Sequence, residues 1–338
     1  MDGSCAPAGA DATHSRNTAT MRSLLLLDMT VHNSATTIPA KPLPTSPAGL
    51  WWGLLGVTAF SFTVPFTRVA VENGHMSPLF VGSGRAVVAA LLAAAALWLS
   101  RQRMPRGKQW VQVAIVAGGA VVGFPLLTSF ALTTAPASHG AVVIALLPAA
   151  TAVMAVFRGH EWPGRAFWVA AVIGAIAAVV FAAIQGGGLA GLHWSDLLLF
   201  AAVIVCAIGY AEGGLLSREL GSWQTISWAL VLSSPLMIVL TSIAVVQQPP
   251  TGTVIEWGAF AYLAVVSMFL GFFAWYRGLA IGPMAQVSQV QLTQPMMSIC
   301  WAGLLLHEHI GWSTILGGLA VIGCALLAVR ARNHGNRS

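Results

Sequence analysis

From Ala48 onward the chain reads as a succession of apolar runs, at 49–71, 77–99, 109–131, 134–156, 166–185, 194–216, 224–246, 256–277, 283–305 and 312–330. A helix needs roughly twenty apolar residues to cross a bilayer. In hydrocarbon every backbone N–H and C=O must find a partner inside the protein, which leaves helices or closed barrels. The runs are continuously apolar and show no strand-like alternation. They therefore predict an all-α integral membrane protein with ten transmembrane helices. The breaks carry helix-ending or helix-starting signals: Ser77-Pro78, Pro105, Pro163, Gly186 to Gly188, Pro249-Pro250 and Gly282-Pro283.

Charge supports this reading. Only 8% of residues are charged and 57% are hydrophobic, whereas soluble domains carry about 25% charged residues. The net charge of +6 is spread between the apolar runs and forms no basic face, so it speaks for a membrane and against nucleic acid. With the N-terminus inside, 14 of the 16 Lys and Arg residues fall in inner segments, and the other two, Arg68 and Arg85, lie in or near the first two spans. That bias places both termini in the cytoplasm and requires an even span count. The expected location is the inner (plasma) membrane.

Residues 1–47 are rich in Ser, Thr, Ala and Pro, a composition that predicts a disordered extension. Met21 and Met29 are alternative starts, and a cleaved signal peptide is not expected. Residues 331–338 form a basic cytoplasmic tail. Cys206, Cys300 and Cys324 lie in apolar stretches and Cys5 in the extension. No CxxC pair occurs, so neither a disulfide framework nor a zinc site is expected.

The chain repeats itself. Pro136, Pro148 and Glu161 are followed 147 residues later by Pro283, Pro295 and Glu308. A histidine precedes each glutamate, His160 and His307, and AVIG at 171–174 recurs at 320–323. Each repeat holds five spans, over 48–187 and 188–330. Five is odd, so the second copy enters from the opposite side. Inverted repeats of this kind characterise many secondary transporters, because two similar halves have two nearly equivalent packings.

These features carry a family resemblance. Two five-helix repeats, each with a Pro-centred fourth span, a following HE element and a Gly-bearing AVIG span, resemble the drug/metabolite transporter superfamily and its EamA-type group. Arg85 within GSGRAVVAALL and the sixth span ending in GLLSREL fit the same pattern. The resemblance covers about Leu50 to Val329. It implies export of small metabolites such as amino acids or of drug-like compounds, and some relatives carry sugars or nucleotide-linked sugars. It departs in the first span, where Pro65 and Arg68 stand in FSFTVPFTRVAVE and relatives more often have a Trp-Gly and a later Lys.

Several polar residues inside spans are candidates for function. Glu212, in the inner part of the sixth span, reads either as a proton-coupling site or as a structural ion pair with an inner arginine such as Arg277. Arg85 reads as a structural donor to backbone carbonyls, with attraction of a substrate carboxylate as the alternative. The ninth span carries Gln286, Ser288, Gln289, Gln291, Thr293 and Gln294. Gln286, Gln289 and Thr293 share one helical face. They and Gln294 are assigned to a solute pathway, with interhelical bonding as the plainer reading. His139 is the repeat partner of Gln286.

Tyr210, Trp275 and Tyr276 offer stacking surfaces, although Trp275 and Tyr276 sit where interfacial anchors are expected. Mid-helix prolines occur at Pro65, Pro125, Pro148, Pro235 and Pro295, and the repeat partners Pro148 and Pro295 are the hinge or close-packing candidates. His307-Glu308-His309 lacks zinc spacing, and the duplicated glutamate points to a loop-to-helix element. No cofactor, metal, enzymatic activity or obligate protein partner is expected. The reading is a gradient-driven secondary transporter working by alternating access on a small-molecule substrate, with proton coupling open. A non-transporting membrane sensor or assembly factor is the alternative.

Overall fold

The computed structural model describes residues 47–159, 165–185, 193–281 and 290–335, all within one unit, Thr45–Ser338. The described residues are helical or in short turns, with no strand. In chain order the helices are α1 Pro47–Ser61, α2 Thr63–Val71, α3 Pro78–Leu99, α4 Lys108–Val116, α5 Phe124–Ala131, α6 Ala137–Ile144, α7 Leu147–Gly159 and α8 Arg165–Gln185. The second half continues with α9 Trp194–Leu220, α10 Ser222–Gln247, α11 Val254–Ala261, α12 Gly271–Ile281, α13 Gln294–Leu305 and α14 Trp312–Gly335. Six helical stretches, 48–71, 78–99, 108–131, 194–217, 222–247 and 254–278, are long and apolar enough to cross a membrane, and shorter apolar helices occupy 137–151, 165–181 and 312–327. This is the build of a multi-pass membrane protein.

Helix ends follow local chemistry. Ser77 caps α3, its hydroxyl accepting the Phe80 N–H at 3.1 Å with Pro78 at the first helical position. At α11, Thr253 and Glu256 cap each other's backbone N–H groups in a capping box.

The packing respects the repeat. α1–α2 packs on α11–α12, α4–α5 on α9, α3 on α10, α6 on α13 and α8 on α14. Exchanging the halves sends the first pair to the second and leaves the other three unchanged. The π-helical turns repeat as well. Ala117–Gly123 links α4 to α5, and Tyr262–Leu270 links α11 to α12; shifting the first by 147 residues lands it on 264–270.

Small residues let these pairs close. A Cβ on Gly56 would lie 2.8 Å from the Trp275 nitrogen, and one on Gly278 would lie 2.6 Å from the Gly53 nitrogen. Glycine is required there because the two backbones touch.

Candidate functional site

The helices break at their centres, and the breaks meet. α1 passes to α2 at Phe62. Pro65 has no N–H to give the Ser61 carbonyl four residues back, and the Ser298 hydroxyl donates to that carbonyl instead at 2.7 Å. α6 ends at Ile144 and α7 begins at Leu147, just before Pro148. In the second half a 3-10 turn spans Gln291–Thr293 and α13 begins at Gln294, just before Pro295. These boundaries are again 147 residues apart. Both prolines therefore sit at helix interruptions, and both line one cleft with Val64, Ile144, Gln291, Gln294 and Ser298. Among the described residues this cleft leaves about 10 Å³, room for one water at most.

Aromatic and hydroxyl groups brace the first break. Phe62 stacks on Trp301 at 4.5 Å, and the Trp301 indole N–H donates to the Ser61 hydroxyl at 2.9 Å. Thr63 and Ser267 share a hydroxyl bond of 2.7 Å between the halves.

The ninth-span residues divide. Gln291 and Gln294 reach the cleft. Thr293 is exposed and returns its hydroxyl to the Val290 carbonyl at 2.7 Å. Gln291, Gln294 and Ser298, at i, i+3 and i+7, form the polar face that lines the cleft. Gln286 and Gln289 lie outside the described residues.

One end of the bundle is tied between the halves. The Glu308 carboxylate accepts the N–H groups of Ala137 (2.7 Å) and Ser138 (2.9 Å) at the start of α6, where a helix leaves donors unpaired and favours negative charge. His139 and Asp196 meet at 2.6 Å, and both are buried. Asp196 also takes the His193 N–H at 2.8 Å, and Phe181 stacks on the His139 ring at 5.2 Å. Glu308, His139, His193 and Asp196 line a polar chamber of about 400 Å³ together with Thr134, Ser195, His309 and Thr314. At the same end Asn73 (3.0 Å) and His75 (3.0 Å) contact the Glu256 carboxylate. Arg68 donates to the Leu132 and Thr133 carbonyls at 2.8 Å each, which close the end of α5, and pairs with Glu72. At the opposite end, among the described residues, the Gln224 amide donates to the Gln102 side chain (3.1 Å) and the Gln109 amide to the Glu219 carboxylate (3.3 Å) across the halves.

Other candidates fall elsewhere. Glu212 is buried and lines an opposite-end cleft of about 610 Å³ with Arg106, Lys108, Gln109 and Gln112. Arg277 lies 5.3 Å over the Trp52 ring. Arg85 is buried and donates to the Pro125 carbonyl at 2.8 Å and to the Thr67 and Thr128 hydroxyls at 3.3 Å, as its structural reading anticipates. Trp275 and Tyr276 are buried rather than interfacial, because α12 lies against the glycine face of α1. Tyr210 meets Phe272 edge-on at 6.0 Å, and Phe272 packs on Tyr276 at 5.8 Å.

Asp196 was not singled out from sequence. It lies at the start of the sixth span and His139 lies at the start of the fourth. The alternation of spans brings both to one end, and that shared depth is the signal.

Comparison with known proteins agrees with this architecture. The profile described as the EamA-like transporter family matches residues 47–183 and again 193–330. The chain is 44% identical over 278 residues to the uncharacterized transporter YdeK of Bacillus subtilis (strain 168), covering 82% of this chain and 96% of YdeK. A solved crystal structure superposes with a TM-score of 0.58 at 17% identity, over 86% of this chain and 99% of its own. That last likeness is one of fold alone.

Proposed function

The chain belongs to the EamA-like transporter family, and from that premise we propose that it carries a small polar or amphipathic solute by alternating exposure of the central cleft. The observation that carries this reading is the convergence of three helix breaks, at Phe62, at Ala145–Leu146 and at Gln291–Thr293, on one cleft shared by the halves. Secondary transporters bind substrate near the bilayer midplane, at interrupted helices between repeats. There the freed backbone carbonyls and the Gln291, Gln294 and Ser298 side chains supply hydrogen bonds without a fixed charge, which suits amino acids and other neutral or zwitterionic metabolites.

The proposed topology has ten spans, with the halves inverted and both termini in the cytoplasm. The Glu308, Asp196 and Glu256 ties are then extracellular, and the Arg101–Lys108 segment is cytoplasmic. In this arrangement the outer end is held shut. Transport opens it by parting these ties while Pro148 and Pro295 let α6–α7 and α13 bend. Export across the inner membrane is the proposed direction, with Glu212 available for proton coupling.

Counterflow in proteoliposomes tests the reading. Vesicles are loaded with single unlabelled amino acids, and uptake of the matching labelled compound is followed. Uptake above empty vesicles, lost in folded Gln294→Leu protein, supports carriage through the cleft. Silence across amino acids, drugs and sugars in folded protein rejects it in favour of a sensor.

A further inference from the structure

Away from the central cleft, a groove of about 560 Å³ runs between the end of α3 and α10, lined by Leu97, Trp98, Arg101, Met104, Trp228 and Val231 among others. Its size falls in the range of small-molecule sites, roughly 300–1,000 Å³. The apolar wall is open: Trp98 is 79% exposed and Leu99 73%.

One end of the groove is cationic: Arg101 lines it, Arg103 follows two residues on, and no acidic residue is among its described lining. Arg101 holds a left-handed backbone, φ 47°, which is costly for a residue with a Cβ. Gln224 on α10 donates to the Gln102 side chain at 3.1 Å and pins this turn to the neighbouring helix. An independent observation comes from the wall. Trp228 is only 8% exposed and packs edge-on against Trp110, yet its indole N–H has no acceptor among the described residues. A buried N–H without a partner is uncommon.

We propose that this groove binds one anionic phospholipid of the adjoining leaflet. Arg101 and Arg103 hold the phosphate, an ester oxygen accepts the Trp228 N–H, and an acyl chain lies along Leu97, Trp98 and Val231. An apolar trough ending in arginines at the membrane surface matches the two ends of such a lipid, and basic pockets between helices are known to hold anionic headgroups.

The test is native mass spectrometry of the full-length protein from micelles containing equal amounts of phosphatidylglycerol and phosphatidylcholine. The expected result is about 25-fold preference for phosphatidylglycerol in the first bound lipid, since each of the two interfacial arginines contributes roughly fivefold. R101Q/R103Q brings the ratio to within about twofold. W228F, which removes the indole N–H together with part of the ring, lowers retention of both lipids about threefold and leaves the ratio unchanged. R277Q, a cation elsewhere, changes neither. Circular dichroism and a monodisperse elution peak report folding, and if the double variant misfolds, W228F and R277Q decide. Equal retention of the two lipids by the unaltered protein, retention unchanged in W228F, or equal loss of preference in R277Q overturns the proposal. So does displacement of the lipid by soluble glycerol phosphate, which would make this a free-phosphate site.

Discussion

Glu308, beyond the end of α13, closes the start of α6 by accepting the Ala137 N–H at 2.7 Å, so the second half of the chain supplies the cap that Pro136, the residue before α6, does not make. Helix caps are worth about 0.5–2 kcal/mol. Glu308→Ala should lower stability by about that amount, and Glu308→Gln by less, because an amide oxygen still accepts one N–H. Melting in detergent orders the two. If both variants melt with the unaltered protein, the cap contributes nothing to stability.

His139 and Asp196 form the second tie. Removing His139 leaves a buried carboxylate with fewer partners, so His139→Ala should cost about 3 kcal/mol. The double change to alanine should cost less than the sum of the singles by roughly 1–2 kcal/mol. Strict additivity in a denaturation cycle would show that the 2.6 Å contact carries no coupling.

The α1–α12 crossing predicts a steric failure. A side chain on Gly278 meets the Gly53 backbone, which cannot move aside. Gly278→Val should cost about 3 kcal/mol or more, or prevent accumulation in the membrane. Gly258→Ala, where nothing lies within 4 Å of the new atom, should melt at or slightly above the temperature of the unaltered protein. Equal yields and equal melting of the two variants would contradict this close approach.

The ninth span separates neighbours. Gln294 lines the cleft and Thr293 does not. Once a substrate is found, Gln294→Leu should cut counterflow about tenfold or more, the loss expected for one or two good hydrogen bonds. Thr293→Val should leave it within about twofold. Reversed effects would place the pathway on the Thr293 face.

Much of the scaffold was legible because it is written twice. Pro148 and Pro295 mark the same interruption in both halves, and the doubled glutamate anticipates a loop-to-helix element, which Glu308 forms. Arg85 could be read as a structural donor because a buried guanidinium needs acceptors. Thr293 is exposed, and Gln286 and Gln289, which share its face in the sequence, lie outside the described residues. Trp275 was assigned to the interface because its burial depends on glycines more than two hundred residues earlier. The His139–Asp196 pair is a meeting of two chain segments, and no local pattern in either announces it.

The π-helical turns carry a chronology. Each inserts a wide turn into the third helical stretch of its half, and the two overlap once the first is moved along by the length of the repeat. Two independent insertions would have no reason to choose the same register. The turn therefore belonged to a single ancestral repeat before its gene doubled. In the inverted topology proposed above, that ancestor paired with a second copy of itself lying the other way up, and it already carried the irregular helix that today's fused halves inherit.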